Sequence, residues 1–202
     1  MTIHEQGQLL PIPPLLAPIV LGIWLVAPAV TGRAQAATSP DEVIVWSASR
    51  PLTWNDFKAK PPHGELAARS AINHSYSVGC SDNTLHVRVQ TVFLPAQSWV
   101  SDRILLSGLP SRLGLAHEQV HFDLAEVAAR RARKLLQEMA NPCARSDAEL
   151  NALVEKVLGT LNATQRQYDL ESATGSAEAQ QFQWAARVAA DLKALRSFAD
   201  SR

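Results

Sequence analysis

Cysteine is scarce in this 202-residue chain, with two in all, and they are far apart at Cys80 and Cys143. No C-x-x-C spacing occurs, which excludes thiolate zinc ribbons and dithiol redox motifs. Neither cysteine reads as a metal ligand. In an oxidising compartment a lone distant pair is most simply a disulfide, while two buried thiols would be the reduced alternative. An excess of either charge is also missing: 19 basic side chains balance 19 acidic ones. That balance leaves no electrostatic footprint for nucleic acid or for an anionic membrane surface. Glycine and tyrosine are few, at nine and two, and no low-complexity tract or internal repeat is present.

Charge is absent altogether from residues 9–30, "LLPIPPLLAPIVLGIWLVAPAV". "AQA" at 34–36 follows with the small-x-small form of a signal-peptidase site, so residues 1–36 read as a signal peptide cleaved after Ala36. The first eight residues lack Lys and Arg, and prolines interrupt the apolar run. An uncleaved N-terminal membrane anchor is the competing reading, since the run is long enough to span a bilayer. Both place residues 37–202 outside the cytoplasm, as one periplasmic or secreted domain. Any membrane contact would then come through an uncleaved leader.

Along that domain the β signals come first. "VIVWSAS" (43–49) suggests a short strand, and "RPLTWNDFKAKPPHGE" a loop pinned by Trp54 and Phe57. In "SAINHSYSVGC" (70–80), Ile72, His74, Tyr76, Val78 and Cys80 share a face. After the turn residues "SDN", Leu85, Val87 and Val89 alternate with His86, Arg88 and Gln90, which predicts an antiparallel hairpin with one solvated face. His74 and His86 lack ligand spacing and read as residues on sheet faces.

From about Ser111 the period becomes helical. Leu113, Ala116, Val120, Leu124, Val127 and Ala128 form an apolar stripe, and "RRARK" (130–134) reads as a solvated face suited to a helix C-terminus. "NPC" at 141–143 ends this helix. "SDAE" (146–149) is a capping box opening a second helix to about Asp169. After "SATGS" a third, over 177–199, turns Phe182, Ala185, Val188, Leu192 and Leu195 inward. Strands followed by helices fit an α+β class, a small antiparallel sheet packed on three helices.

The chemistry concentrates in "LAHEQVHFDLAE" (115–126). Histidines at i and i+4 lie about 40° apart on a helix, so His117 and His121 can reach one ion. Glu118 beside them can act as general base toward a water that the ion acidifies, the H-E-x-x-H logic of zinc peptidases. A structural helix with incidental histidines is the bland alternative. A catalytic zinc needs a third protein ligand. Leu124 and Val127 occupy the positions where the extended H-x-x-G-x-x-H form has Gly and His. Asp123 and Glu126 fall on other sides of the helix, as surface or supporting groups. The remaining acidic candidates are Glu149, Glu155, Asp169 and Glu171, with "YDLES" (168–172) the densest cluster. Tyr168 reads as a packed tyrosine, with a hydroxyl that could serve a tetrahedral intermediate.

These stretches resemble the bacterial predicted secreted zinc-dependent proteases, long catalogued as a domain of unknown function. The resemblance runs through "RPLTWNDFKAKPP", "LAAR", "QSWVSD", "LAHEQVHFDLAEVAAR" and "QRQYDLESATG" with "QQFQW". It implies a zincin-like fold with the metal site on the first long helix, Zn2+ held by His117 and His121, Glu118 as base, and a peptide or protein substrate. The family's later motif reads like Y-D-x-E-T-x-H-G, and here Ser172 takes the Thr position and Thr174 the His position. A ligand at that His would be missing from this chain. A ligand at the acid would be Asp169, the first choice, or Glu171. The expected function is therefore a secreted or periplasmic zinc peptidase, and the alternative is a catalytically inactive zincin-like envelope protein that binds a peptide or protein partner.

Overall fold

The computed structural model describes residues 42–64, 67–173 and 175–200. The expected signal peptide or anchor, its expected cleavage site and Thr174 lie outside these residues. The class is α+β, as the order of elements suggested. Five strands come first: β1 (Ile44–Val45), β2 (Ala68–Arg69), β3 (Ile72–Ser81), β4 (Thr84–Phe93) and β5 (Trp99–Val100). A single helical turn, α1 (Asp102–Leu105), leads into α2 (Leu109–Gln137), α3 (Asp147–Gly159), α4 (Leu161–Glu171) and α5 (Glu178–Ala194). Four longer helices thus stand where three were expected.

The hairpin β3–β4 is the backbone of the larger sheet, of order β1-β4-β3, with register from Ile72 opposite Phe93 to Ser81 opposite Thr84. Its two-residue turn needs positive φ at both positions, and Asp82 and Asn83 supply φ of 49° and 57°. Short polar side chains tolerate that region better than most. Asn73, Ser75, Ser77, His86 and Arg88 face solvent while Val78 and Val89 are buried, so the alternation was read correctly. β2 and β5 form a separate antiparallel pair.

The extra helix arises from a break at Thr160. Gly159 is a poor helix former, and the Thr160 hydroxyl donates to the Val157 carbonyl at 2.7 Å, competing with the backbone ladder. The capping box is formed as expected: the Ser146 hydroxyl accepts from the Glu149 amide at 3.3 Å, and the Glu149 carboxylate accepts from the Ser146 amide at 2.8 Å.

Helix α2 organises the core. Its C-terminal half packs Ala129, Ala132 and Leu136 against Val78 and Val89 of the hairpin and Leu150 and Val154 of α3. A second cluster joins Val120, Leu124 and Val127 to Tyr168 of α4 and Trp184 and Val188 of α5. A third holds the N-terminal loop, where Leu52 and Phe57 meet Phe93, Val100 and Phe122. The Trp54 indole N–H donates to Ser111 at 2.9 Å, tying that loop to the first turns of α2. Cys80 and Cys143 form a disulfide that fastens the end of β3 to the turn after α2. No described helix is long and apolar enough to cross a membrane.

Three packing expectations fail. Ala116, at the N-terminal end of the α2 stripe, is exposed. Phe182 is 60% exposed, because the buried face of α5 runs through Gln181, Trp184 and Val188, one residue out of phase with it. The basic run of α2 is solvated only at Arg131 and Lys134. Arg130 and Arg133 are buried because Glu126, buried on the same side of the helix, pairs with both, at 2.9 and 2.7 Å.

Candidate metal centre

His117 and His121 project from one face of α2, and Asp169 reaches them from α4. The three pairwise distances are short: 3.0 Å between the two Nε2 atoms, 3.2 Å from His117 Nε2 to Asp169 Oδ1, and 2.9 Å from His121 Nε2 to the same oxygen. Among the described residues this trio is the group of side chains able to hold a metal ion. Glu171 is elsewhere. Its carboxylate accepts from Trp184 Nε1 and Gln167 Nε2, each at 2.8 Å, on the exposed side of α4. Glu149 caps α3, and Glu155 accepts from the Tyr76 hydroxyl.

The tautomers of the two imidazoles follow from their rear contacts. His121 Nδ1 meets the amide oxygen of Gln165, which can only accept, so Nδ1 carries the proton. Gln165 is itself fixed by donating from Nε2 to the His121 carbonyl at 3.0 Å. Behind His117, the Ser172 hydroxyl lies 3.4 Å from Nδ1 and donates to the Tyr168 carbonyl at 2.7 Å. With its proton committed there, the hydroxyl can only accept from Nδ1–H. Both Nε2 lone pairs therefore face the Asp169 carboxylate. Three acceptors so close together repel one another unless a proton on one imidazole or a metal ion lies between them, and supporting contacts of this kind are typical of histidine metal ligands. The edges fit as well: ligands about 2.0–2.1 Å from a tetrahedral ion stand about 3.3 Å apart.

Packing holds these groups still. The His117 ring stacks on Tyr168 with centroids 4.6 Å apart, and His121 meets the same tyrosine edge-on at 5.0 Å. Gly175, at φ 85°, closes the other side: a Cβ there would sit 3.1 Å from the His117 Cβ, so a side chain would push the ligand aside. Tyr168 is fully buried, and its hydroxyl has no hydrogen-bond partner among the described residues. Burial raises its pKa further above the usual phenol range.

Protonation follows the same geometry. Burial, with the neighbouring His121 charge, lowers His117 to about 4. Burial opposes charge on His121 too, but the Asp169 carboxylate and the Gln165 amide outweigh it and hold His121 above its ordinary value. Asp169 is pushed up by burial, but the hydrogen bonds and charges of His121 and His117 together pull it down further, so it stays below the usual carboxylate range.

Glu118 is 6% exposed and shares a cavity wall with the trio. Burial raises its pKa, although the Ser70 backbone N–H donates to Oε2 at 2.9 Å and orients the carboxylate. The cavity has a volume of about 420 Å3 and is bounded by Ala68–Ser70 and Ile72 on one side and by Leu161, Asn162 and Gln165 on the other. The strand beside the site is thus β2 with the very start of β3, rather than the body of the hairpin.

Asp123 and Glu126 both lie away from the site. Asp123 accepts from the Trp46 indole at 2.7 Å and from Gln119 at 2.8 Å, which braces the N-terminal loop on α2. His74 donates to the Ala125 carbonyl at 2.9 Å, and His86 pairs with Ser81. Gln165 and Ser70 were not singled out from the sequence. For Gln165 a signal existed: Gln165, Tyr168, Asp169 and Ser172 fall at i, i+3, i+4 and i+7, one face of a helix.

Comparison with known proteins covers this region alone. Neither the curated proteins nor the solved structures gave a match. Residues 111–176 match the family model described as "Bacterial protein of unknown function (DUF922)", a segment holding His117, Glu118, His121, Gln165, Asp169 and Ser172, whose description names no activity.

Proposed function

We propose that this chain is an exported zinc-dependent peptidase, with His117, His121 and Asp169 as ligands and Glu118 as general base. The observation that carries this reading is the triangle of acceptor atoms at 2.9–3.2 Å with a buried carboxylate on the same wall. Two histidines and one carboxylate are a donor set that suits zinc in hydrolytic sites. Zinc bound there would supply Lewis acidity, polarising a carbonyl and acidifying water near neutral pH.

The chain's own residues do the rest. Glu118, oriented by the Ser70 amide, accepts a proton and can pass it to the departing amine. Burial brings its pKa closer to the working pH, which suits a group that must both take and give a proton. Tyr168 and Gly175 keep the His117 ring from turning. A disulfide suits an oxidising compartment and so supports export.

The test is cleavage of a peptide library by the zinc-supplied chain beside Glu118→Gln. Hydrolysis that falls by a factor of about 100 or more in the variant, with zinc retained, is the expected result. If zinc is bound and both proteins are equally inert, the peptidase reading fails and a peptide-binding role takes its place.

A further inference from the structure

A second cavity, of about 360 Å3, opens on the other side of Glu118. Ala68, His117 and Glu118 line both cavities, so the two adjoin at these residues. Their chemistry differs. The first carries Arg69, Asn162, Gln165 and Asp169, whereas the second is walled by Ala67, Ile104, Pro110, Leu113 and Gly114. Among the described lining residues His117 and Glu118 are the ionisable ones, and Ser176 is a further polar one.

Gly114 makes this recess more than a gap in the packing. It lies inside α2, four residues before Glu118 and therefore one turn away on the same face. Glycine inside a helix is less stable than alanine. Sterics do not demand it here: an added Cβ would lie 3.5 and 3.7 Å from the Trp54 ring and 3.8 Å from Ile104, ordinary contact distances. What glycine leaves is room in the cavity wall next to Ile104.

We propose that this recess receives an apolar side chain of the peptide substrate, with Gly114 and Ile104 setting the size accepted. The proposal rests on the peptidase reading. An extended peptide passing Glu118 would have one neighbouring residue in the polar cavity and one in the apolar recess. β2 is paired on one side, with β5, and runs along both. An uncharged side chain of leucine size would displace water from beside Glu118, while aspartate would meet a like charge there and, in a Glu118→Gln chain, lysine would lose hydration without a counter-charge.

The experiment uses acetyl-Gly-X-Gly-amide peptides, with X as Gly, Ala, Leu, Phe or Lys. Their binding to the zinc-supplied Glu118→Gln chain is measured by titration calorimetry, and turnover of the same peptides by the wild-type chain. Leucine is expected to bind about tenfold or more tightly than glycine or lysine. Gly114→Ala, added to that chain, should weaken the leucine peptide about tenfold and spare the alanine peptide; Ile104→Ala should move the preference toward phenylalanine. Circular dichroism checks that both variants fold. Affinities independent of X, or a preference that neither variant alters, overturn the proposal. Preference without turnover overturns the peptidase reading and leaves the recess standing; turnover without preference does the reverse.

Discussion

Gln165 grips His121 at both ends, its amide oxygen on Nδ1 and its amide nitrogen 3.0 Å from the His121 carbonyl. A single side chain therefore sets both the tautomer and the ring orientation of a candidate ligand. Replacing it with leucine keeps the bulk and removes both bonds. Gln165→Leu is expected to stay folded and to lose about 10–100-fold in zinc affinity, read by competition with a chromophoric chelator. Unchanged affinity would remove Gln165 from the site.

Metal content discriminates among the ligands. The full chain should carry about one zinc by elemental analysis, lost in His117→Ala and in Asp169→Asn. Glu171→Gln should keep it, because that carboxylate is held by Gln167 and Trp184 away from the trio. Loss in the Glu171 variant with retention in the Asp169 variant would reverse the assignment.

Much of this arrangement was legible in the residues, and the limits have physical causes. The hairpin was readable because period 2 is a local property, and the His117–His121 pair because i,i+4 spacing fixes two side chains on one helix. The capping box at Ser146 is local too. What depends on long-range packing was not legible. Choosing Asp169 over Glu171 depends on how α4 rolls against α2, and the two residues lie about 200° apart around the helix axis. The break at Thr160, which splits off α4, is carried by one Gly-Thr pair inside an otherwise good helical pattern. Arg130 and Arg133 looked solvated because a basic run ordinarily is. Only the burial of Glu126 reverses that, and burial is a property of the assembled core.

That buried ion cluster should matter to stability. Glu126 pairs with both arginines and accepts from the Thr91 hydroxyl at 3.0 Å, while Arg130 also donates to the Leu192 carbonyl at 2.7 Å. Removing the carboxylate leaves two buried guanidinium groups without a counter-charge. Glu126→Ala is expected to lose about 3–5 kcal/mol in urea unfolding. Arg131→Ala, which breaks the exposed pair with Asp191, should cost less than about 1 kcal/mol. Equal losses would mean that the buried cluster contributes no more than a surface contact.

His74 gives the fold a pH dependence that can be separated from the metal site. Burial holds it below its ordinary pKa, an effect that the Ala125 carbonyl and Glu126 oppose and Arg133 reinforces. As pH falls below about 6.5 the unfolded chain therefore takes up this proton before the folded one does. Proton uptake then favours unfolding, and stability drops until the folded-state pKa is passed. At most this adds about 1.4 kcal/mol per pH unit to the slope. His74→Gln keeps a hydrogen-bond donor and removes the titration. With a chelator present, His117 and His121 titrate alike in both proteins, so the difference in slope below pH 6.5 isolates His74. The variant should be less acid-sensitive than the wild type; parallel curves would show that His74 protonates as readily in the folded chain as in the unfolded one.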